Sequence, residues 1–489
     1  MLRRAFFLFM IASVSWSQSN QATVSGIVTD TQGAVIASTD ITAGDTATGV
    51  KTTARTNDAG FYSLRNLPIG NYIVTAEHPG FRRYVREGLT LTTGQALGLD
   101  IRLELGAVSE SVNVSASASI LETRSSDVSQ LVEAKSIEDI PLGDRRTMNI
   151  INITGAAVFV NYDNGSKPNF SLAGGRTQSQ MFWIDGGTGQ NMRLGIGQID
   201  LDPPVETVEE VKILSNSYAA EYGGSAGGTI IATTKSGTNQ FRGSLSEYLR
   251  NDKLDAPGFF AQVQNGQKIK APLRYNVFGG TIGGPIIHDK TFFFFGYEGS
   301  RRRDGAIDTL TVPTDLQRSG DFSQTFNARS QLIPIYDPNT TRVEGGKTVR
   351  DLFPNNRIPA NRLDPVALNV IKFYPAPNRP PDNISGANNF RANYVTALTR
   401  DNITAKVDHN LGTKDKISGR YLYNSDNSAT TSVYPDPAAD TRIDALRHQQ
   451  YWYGSWTHIL SPSLINDFRF TYANRINHQL TKGLGGKYP

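Results

Sequence analysis

Cysteine is absent from all 489 residues. No disulfide framework, thiolate metal site or cysteine nucleophile is available to this chain. Charge of one sign is scarce as well. The formal net charge is +4, from 49 Lys and Arg against 45 Asp and Glu, too little over this length to argue for a nucleic-acid partner. No apolar run reaches the 18 or so residues that a membrane-spanning helix needs, and long helical periodicities are scarce. If the chain enters a bilayer, it must do so as a β-barrel, because only a closed barrel satisfies strand hydrogen bonds in lipid.

What is present is glycine, 46 residues of it, and short alternating segments broken by polar turns. This is the pattern of a mostly β protein of several domains. The N-terminus stands apart. Met1 to Arg4 is basic, Ala5 to Val14 is mainly apolar, and Ser15-Trp16-Ser17 puts small residues at −3 and −1 of a cleavage site. Residues 1–17 read as a secretory signal peptide.

Residues 22–105 alternate in seven or so short strands and predict a β-sandwich. Leu97, Leu99, Ile101 and Leu103 share one face, and Phe61, Leu64, Leu67, Tyr72 and Val74 are the expected core. Asp30, Asn57 and Asp58 sit beside glycines and read as turn formers rather than cation ligands. Residues 106–118, "GAVSESVNVSASA", form a small, polar linker in which Val112 and Val114 alternate. An extended segment of this kind can add to another protein's sheet.

Residues 119–236 are mixed. "VSQLVEAKSIEDIPL" has helical spacing at Val128, Leu131, Val132 and Ile137, and "RTMNIINITGAAV" suggests a second short helix. A hairpin is expected at Asp185-Gly186, and strands over 210–214 and 229–234. Arg176, Asp185 and Glu221 lack any catalytic spacing and are read as turn and salt-bridge residues. Gly223 and Gly228 have the separation of a phosphate-binding loop, but Thr229 and Ile230 stand where Lys and a hydroxyl are required. None of the six histidines lies in a catalytic or metal-binding motif; no catalytic residue, cofactor or metal site is assigned.

From residue 240 to 489 the strands lengthen. Ile403, Ala405 and Val407 alternate with Thr404, Lys406 and Asp408; Ile417, Gly419, Tyr421 and Tyr423 alternate with Lys416, Ser418 and Arg420; Phe468, Phe470 and Tyr472 alternate with Arg469 and Thr471. One apolar and one polar face with clustered aromatics is what a transmembrane barrel needs. Residues 304–393 hold ten of the 23 prolines and are expected to form an excursion rather than strands.

Two resemblances follow. "SGIVTDTQGAVI", "TNDAGFYSLRNLPIGNYIV" and "HPGF" resemble the carboxypeptidase regulatory-like domain, a transthyretin- or Ig-like sandwich close to carbohydrate-binding folds. "IEDIPLGDRRTMNIINITGA", "SLAGGRTQSQMFWIDGG", "EYGGSAGGTIIATTKSGTNQFRGSLSEYLRN", "FGGTIGGPI", "KTFFFFGYEG" and "LFPNNRIPANRLDPVA" resemble TonB-dependent outer-membrane receptors of the Oar-like type. That resemblance implies a plug at 119–236, the first strands of an incomplete barrel from 240, and no enzyme activity. It implies an outer-membrane location with the N-terminal domain periplasmic. The implied partners are the TonB energy-transducing complex, outer-membrane lipid and a transported siderophore, saccharide or peptide. It also makes Val112, Asn113, Val114 and Ser115 a TonB-box candidate. About seven barrel strands are expected, fewer than the eight of the smallest closed single-chain barrels, so the chain is expected to be an N-terminal fragment. The alternative is a secreted or surface carbohydrate-binding or adhesion protein.

Overall fold

The computed structural model describes residues 21–107, 111–115, 127–140, 142–162, 168–191, 198–199, 201–216, 227–259, 261, 263–264, 266–436, 439–440, 443–461 and 464–481. The signal-peptide segment, Gly223 and Glu221 lie outside them.

The N-terminal unit is a two-sheet sandwich. Its strands are β1 (Ala22–Thr29), β2 (Asp40–Asp45), β3 (Lys51–Arg55), β4 (Phe61–Leu67), β5 (Gly70–Glu77), β6 (Arg83–Leu91), β7 (Ala96–Gly98) and β8 (Ile101–Arg102). One sheet runs β4-β1-β7, with β8 also on β1. The other runs β3-β2-β5-β6 and takes a further strand, β9 (Ser111–Ser115), at its edge. Val24, Leu64, Tyr72, Val74, Leu97, Ile101 and Leu103 meet in one apolar core. Phe61 is not in that core. It is 38% exposed, and its neighbour Tyr62 is buried and donates from its hydroxyl to the Leu99 carbonyl at 2.7 Å. Regular alternation from Leu64 puts Tyr62 inward and Phe61 outward, and a bulge farther along resets the phase: Ala22 and Val24 pair with Leu67 and Leu64, and Asn66 takes φ 56°. The bulge lets Tyr62, Leu64 and Leu67 all point inward, which strict alternation forbids. Asp30 and Asn57 close turns, the Asp30 carboxylate accepting from the Gln32 and Ala34 amides at 2.8 Å each.

The middle unit begins with β10 (Val128–Glu133), followed by a helix at Ala134–Asp139 and a 3-10 helix at Thr147–Ile153. The helical spacing from Val128 is therefore overridden in its first half. Val128–Glu133 pairs antiparallel with residues 210–216, and that sheet partner outweighs local periodicity. Next come β11 (Ala157–Tyr162), β12 (Pro168–Leu172), β13 (Met181–Ile184), β14 (Gly187–Thr188), β15 (Gln190–Asn191), β16 (Gln198–Ile199), β17 (Val208–Asn216) and β18 (Thr229–Thr234). The main sheet has the order β10-β17-β18-β13-β14. Every residue of β18 is buried, as its β-branched sequence requires.

The third unit is a seven-stranded antiparallel sheet. Its path is β19 (Arg242–Asn251), β22 (Leu273–Ile287), β23 (Thr291–Leu310), β26 (Phe390–Leu411), β27 (Asp415–Thr430), β28 (Ile443–Ser461) and β29 (Leu464–Thr481). Two small hairpins, β20 (Val263–Gln264) with β21 (Gln267–Lys268) and β24 (Arg342–Glu344) with β25 (Lys347–Val349), lie in the connections. Among the described residues β19 and β29 do not pair with each other, so the barrel is not closed. The excursion is shorter than 304–393: residues 304–310 continue β23 and 390–393 open β26, paired with one another. Its prolines begin only at Pro313 and end at Pro381, so both flanks keep the amide donors that a ladder requires.

Turns between strands are short at one end, around Asp289 and Gly412. At the other end the connections are long. Phe468, Phe470, Tyr472, Trp452 and Trp456 stay exposed on one face of the sheet. Leu422 and Tyr451, on the opposite face, join the core of the middle unit.

Candidate functional site at the seams between the three units

The β13–β14 hairpin turns at Asp185 and Gly186, with φ 46° and 82°. Positive φ at both central residues fits the right-handed strand twist, and Asp tolerates it better than most residues. The Asp185 carboxylate accepts from the Thr234 amide at 2.8 Å and from the Thr234 hydroxyl, tying the hairpin to the end of β18. The same carboxylate is paired with the Arg420 guanidinium on β27. Arg420 also donates to the Ile184 carbonyl at 2.8 Å and stacks over the Tyr453 ring, 4.7 Å from its centroid. Both charged side chains are buried, at 7% and 4% exposure. Burial pushes the Asp185 carboxyl up, but Arg420, Lys406 and the Thr234 bonds outweigh it and hold the group below the usual carboxylate range.

A second latch joins the middle unit to β19. Arg145 bonds Glu206 at 2.8 Å and lies 3.8 Å from the Tyr248 ring centroid, while the Tyr248 hydroxyl donates to Glu206 at 3.1 Å. A looser cluster sets Arg146 between Asp202 at 3.8 Å and Asp426 of β27 at 3.6 Å. The Tyr275 hydroxyl of β22 donates to the Asp144 carbonyl at 2.8 Å.

The sandwich meets the other two units at the short-turn end. The Thr93 amide and hydroxyl both donate to the Glu210 carboxylate at 2.8 Å, and the same hydroxyl lies 2.8 Å from the Thr233 hydroxyl. Lys416 of β27 donates to the Thr52 hydroxyl at 3.1 Å and the Asn66 carbonyl at 3.4 Å. Asn239 bonds the carbonyls of Ala47 and Thr48 at 3.0 and 2.8 Å. Burial raises Glu210 above its ordinary value, against the lowering effect of the two Thr93 bonds. Between the units lies a chamber of about 890 Å³ lined by Asp45, Tyr72, Glu209, Lys235, Lys406 and Lys416. The passage from β18 to β19 runs along its wall through Ser236-Gly237-Thr238. A Cβ at Gly237 would collide with the Phe293 and Gly284 carbonyl oxygens, so the backbone approach there requires glycine.

Val112, Asn113, Val114 and Ser115 form β9 with Ser111 and pair parallel with β6, Asn113 opposite Val85. β9 is the last strand of its sheet, so one of its edges has no neighbour among the described residues. Of the three residues read as turn and salt-bridge residues, Asp185 serves the latch and Arg176 is exposed, while Glu221 lies outside the described residues. Arg420 and Arg145 carried no sequence motif. Their only signal is a cation on a polar strand face or beside a glycine turn.

Residues 233–488, more than half the chain, match the model of the outer membrane beta barrel domain family, and residues 23–104 match the carboxypeptidase regulatory-like domain. The chain belongs to the outer-membrane β-barrel family and carries a carboxypeptidase regulatory-like sandwich ahead of the barrel strands. It is 26% identical over 314 residues to the TonB-dependent transporter Oar of Myxococcus xanthus, covering 62% of this chain and 29% of that protein. It is 28% identical over 232 residues to the ferric enterobactin receptor PirA of Pseudomonas aeruginosa, covering 42% of this chain and 28% of the receptor. The chain thus spans less than a third of the length of these curated relatives. Among solved structures it is similar to the outer membrane transporter YddB from Escherichia coli, at 12% identity and a TM-score of 0.42 over 71% of this chain and 38% of that one.

Proposed function

We propose that this chain is part of a TonB-dependent outer-membrane receptor that takes up a nutrient of the siderophore, saccharide or peptide class. The observation that carries the reading is the Asp185–Arg420 pair, which fastens the middle unit to the strand face opposite the exposed aromatics. A unit held this way blocks passage through the barrel and acts as a plug. In this reading residues 119–236 are the plug, 22–105 the periplasmic sandwich, and 106–118 the link on which TonB pulls.

Val112 to Ser115 would present the free edge of β9 to TonB, adding backbone hydrogen bonds in the manner of strand augmentation. Force along that strand reaches the plug through residues 116–127 and, across the sandwich, through Thr93 and Glu210. The role is transport, and no residue is assigned a catalytic step. The test is outer-membrane fractionation with heat-modifiable gel mobility, together with loss of uptake of a nutrient panel on deletion. Recovery in the soluble fraction, with unchanged uptake, would contradict it.

A further inference from the structure

Register and burial fix which side chains of β22 and β23 face outward. Tyr275, Val277, Glu298 and Ser300 are buried toward the middle unit. Alternation then puts Arg274, Asn276 and Phe278, and Tyr297, Gly299, Arg301 and Arg303, on the opposite face. The pairing sets Phe278 against Gly299, Asn276 against Arg301, and Arg274 against Arg303. Three successive outward rungs therefore run from an aromatic ring to a facing pair of arginines.

Phe278 and Tyr297 lie with their ring centroids 6.3 Å apart and mark the upper aromatic level on these strands. Arg301 and Arg303 lie four and six residues farther toward the long connections. At about 3.3 Å per residue and a strand tilt of about 45°, their Cα positions lie roughly 9 and 14 Å beyond the Tyr297 level. Aromatic girdles sit at the edge of the apolar core, so this is headgroup height. Long connections lie outside and short turns inside in barrels of this kind, which makes it the outer leaflet.

The three arginines are not equally engaged. Arg301 bonds Asp401 at 2.7 Å, and the Tyr297 hydroxyl donates to the same carboxylate at 2.7 Å. Arg274 is paired with Asp252, whose backbone carbonyl accepts from the Lys270 ammonium at 2.6 Å. The Arg303 side chain is exposed and has no hydrogen-bond or ion-pair partner among the described residues. Three arginines on two successive outward rungs thus face two carboxylates, Asp252 and Asp401. An aqueous surface would give such a cluster no purpose beyond solubility, but at headgroup height it meets fixed phosphates.

We propose that Arg274, Arg301 and Arg303 form a binding site for the phosphate groups of a phosphorylated lipid of the outer leaflet. Arg303 supplies the free planar donor set, which suits a phosphate bidentately. Arg274 faces it across the strand pair, and Arg301 is braced by Asp401 and Tyr297 one rung below. The proposal rests on the reading that the sheet spans the outer membrane with its long connections outside.

The test uses the protein purified, delipidated and placed in zwitterionic phospholipid nanodiscs. Phosphorylated lipid A, the same lipid stripped of phosphates, and inorganic phosphate are the probes, with lipid retention read by native mass spectrometry. Phosphorylated lipid A is expected to be retained, and R274Q/R303Q to lower its retention roughly tenfold. R303K should retain an intermediate amount, because a point charge replaces the planar fork. Equal retention by R274Q/R303Q, or equal retention of the stripped lipid, overturns the site. Displacement of the lipid by millimolar inorganic phosphate overturns the assignment to lipid in favour of a free anion. Failure of the wild-type protein to enter nanodiscs, seen as loss of heat-modifiable mobility, contradicts the membrane-spanning reading itself and the site with it.

Discussion

Asp185 and Arg420 are 235 positions apart in the chain and form a buried ion pair between the β13–β14 hairpin and β27. The Thr234 amide and hydroxyl complete the carboxylate's bonding, and the Ile184 carbonyl takes a further donor of Arg420. Removing one member leaves a charge stranded in a site with little solvent. Arg420→Ala is expected to cost about 3–5 kcal/mol. Replacing both members with apolar residues of similar volume should cost less than either single change. Urea unfolding of the single and double variants in detergent checks this.

The same pair sets an acid limit. The folded Asp185 carboxyl lies below its ordinary value of 3.8, so the protein gains stability from it above that value. The gain is lost as pH falls through the folded value. Asp185→Asn should therefore flatten the acid limb of the stability profile below about pH 4. A limb unchanged by this substitution would assign the acid sensitivity to other carboxylates.

In the sandwich, Tyr72 is 2% exposed and donates from its hydroxyl to the Pro68 carbonyl at 2.9 Å, while Phe61 is 38% exposed. Tyr72→Ala is expected to cost about 3–5 kcal/mol, as for other buried aromatics. Phe61→Ala should cost about 1 kcal/mol or less. Urea unfolding of residues 22–105 separates the two, and equal losses would refute this assignment of the core.

The contact between Thr93 and Glu210 has the opposite pH sense to the latch. Glu210 is raised by burial, so its ionisation opposes docking. Docking is expected to be firmest below the ordinary carboxylate range and to weaken as pH rises through the raised value. Thr93→Val removes the hydroxyl donor to Glu210, leaving only the amide, and should speed proteolysis between the sandwich and the middle unit. Limited proteolysis across pH 4 to 8 reads both effects; a rate independent of pH and of Thr93 would contradict the docking geometry.

Much of this arrangement was legible in residue patterns. Leu97, Leu99, Ile101 and Leu103 alternate into the core as written, and the hairpin at Asp185-Gly186 follows from turn chemistry. Alternating faces predict about seven long strands, and seven form the sheet among the described residues. What failed was set by partners distant in sequence. Val128–Glu133 is a strand because residues 210–216 lie beside it, and Leu64 and Leu67 both point inward, leaving Phe61 out, because the bulge opposite Ala22 and Val24 falls after Leu64 rather than before it. The ends of the Pro-rich excursion pair with each other, which neither flank reveals alone. Arg420 was visible as a polar-face residue, but its partner was not, since nothing local in "KISGRYLYN" points to Asp185.

The β9 pairing gives a measurable resting state. Val85 and Asn113 face each other across parallel strands in a chain without cysteine, so V85C/N113C adds only one possible disulfide. Mild oxidation should close it. Val114→Pro should prevent closure, because proline removes a ladder donor and fixes φ. Closure that survives this substitution would count against the strand.

In the proposed function, residues 112–115 hand force from TonB to a latched plug in an outer-membrane barrel. The most direct measurement is crosslinking of Asn113→Cys to a cysteine-bearing TonB in intact cells, followed by outer-membrane isolation. A crosslink in the outer-membrane fraction that Val114→Pro abolishes is expected. A crosslink unaffected by Val114→Pro, or none at 113 in protein shown to reside in the outer membrane, would contradict it.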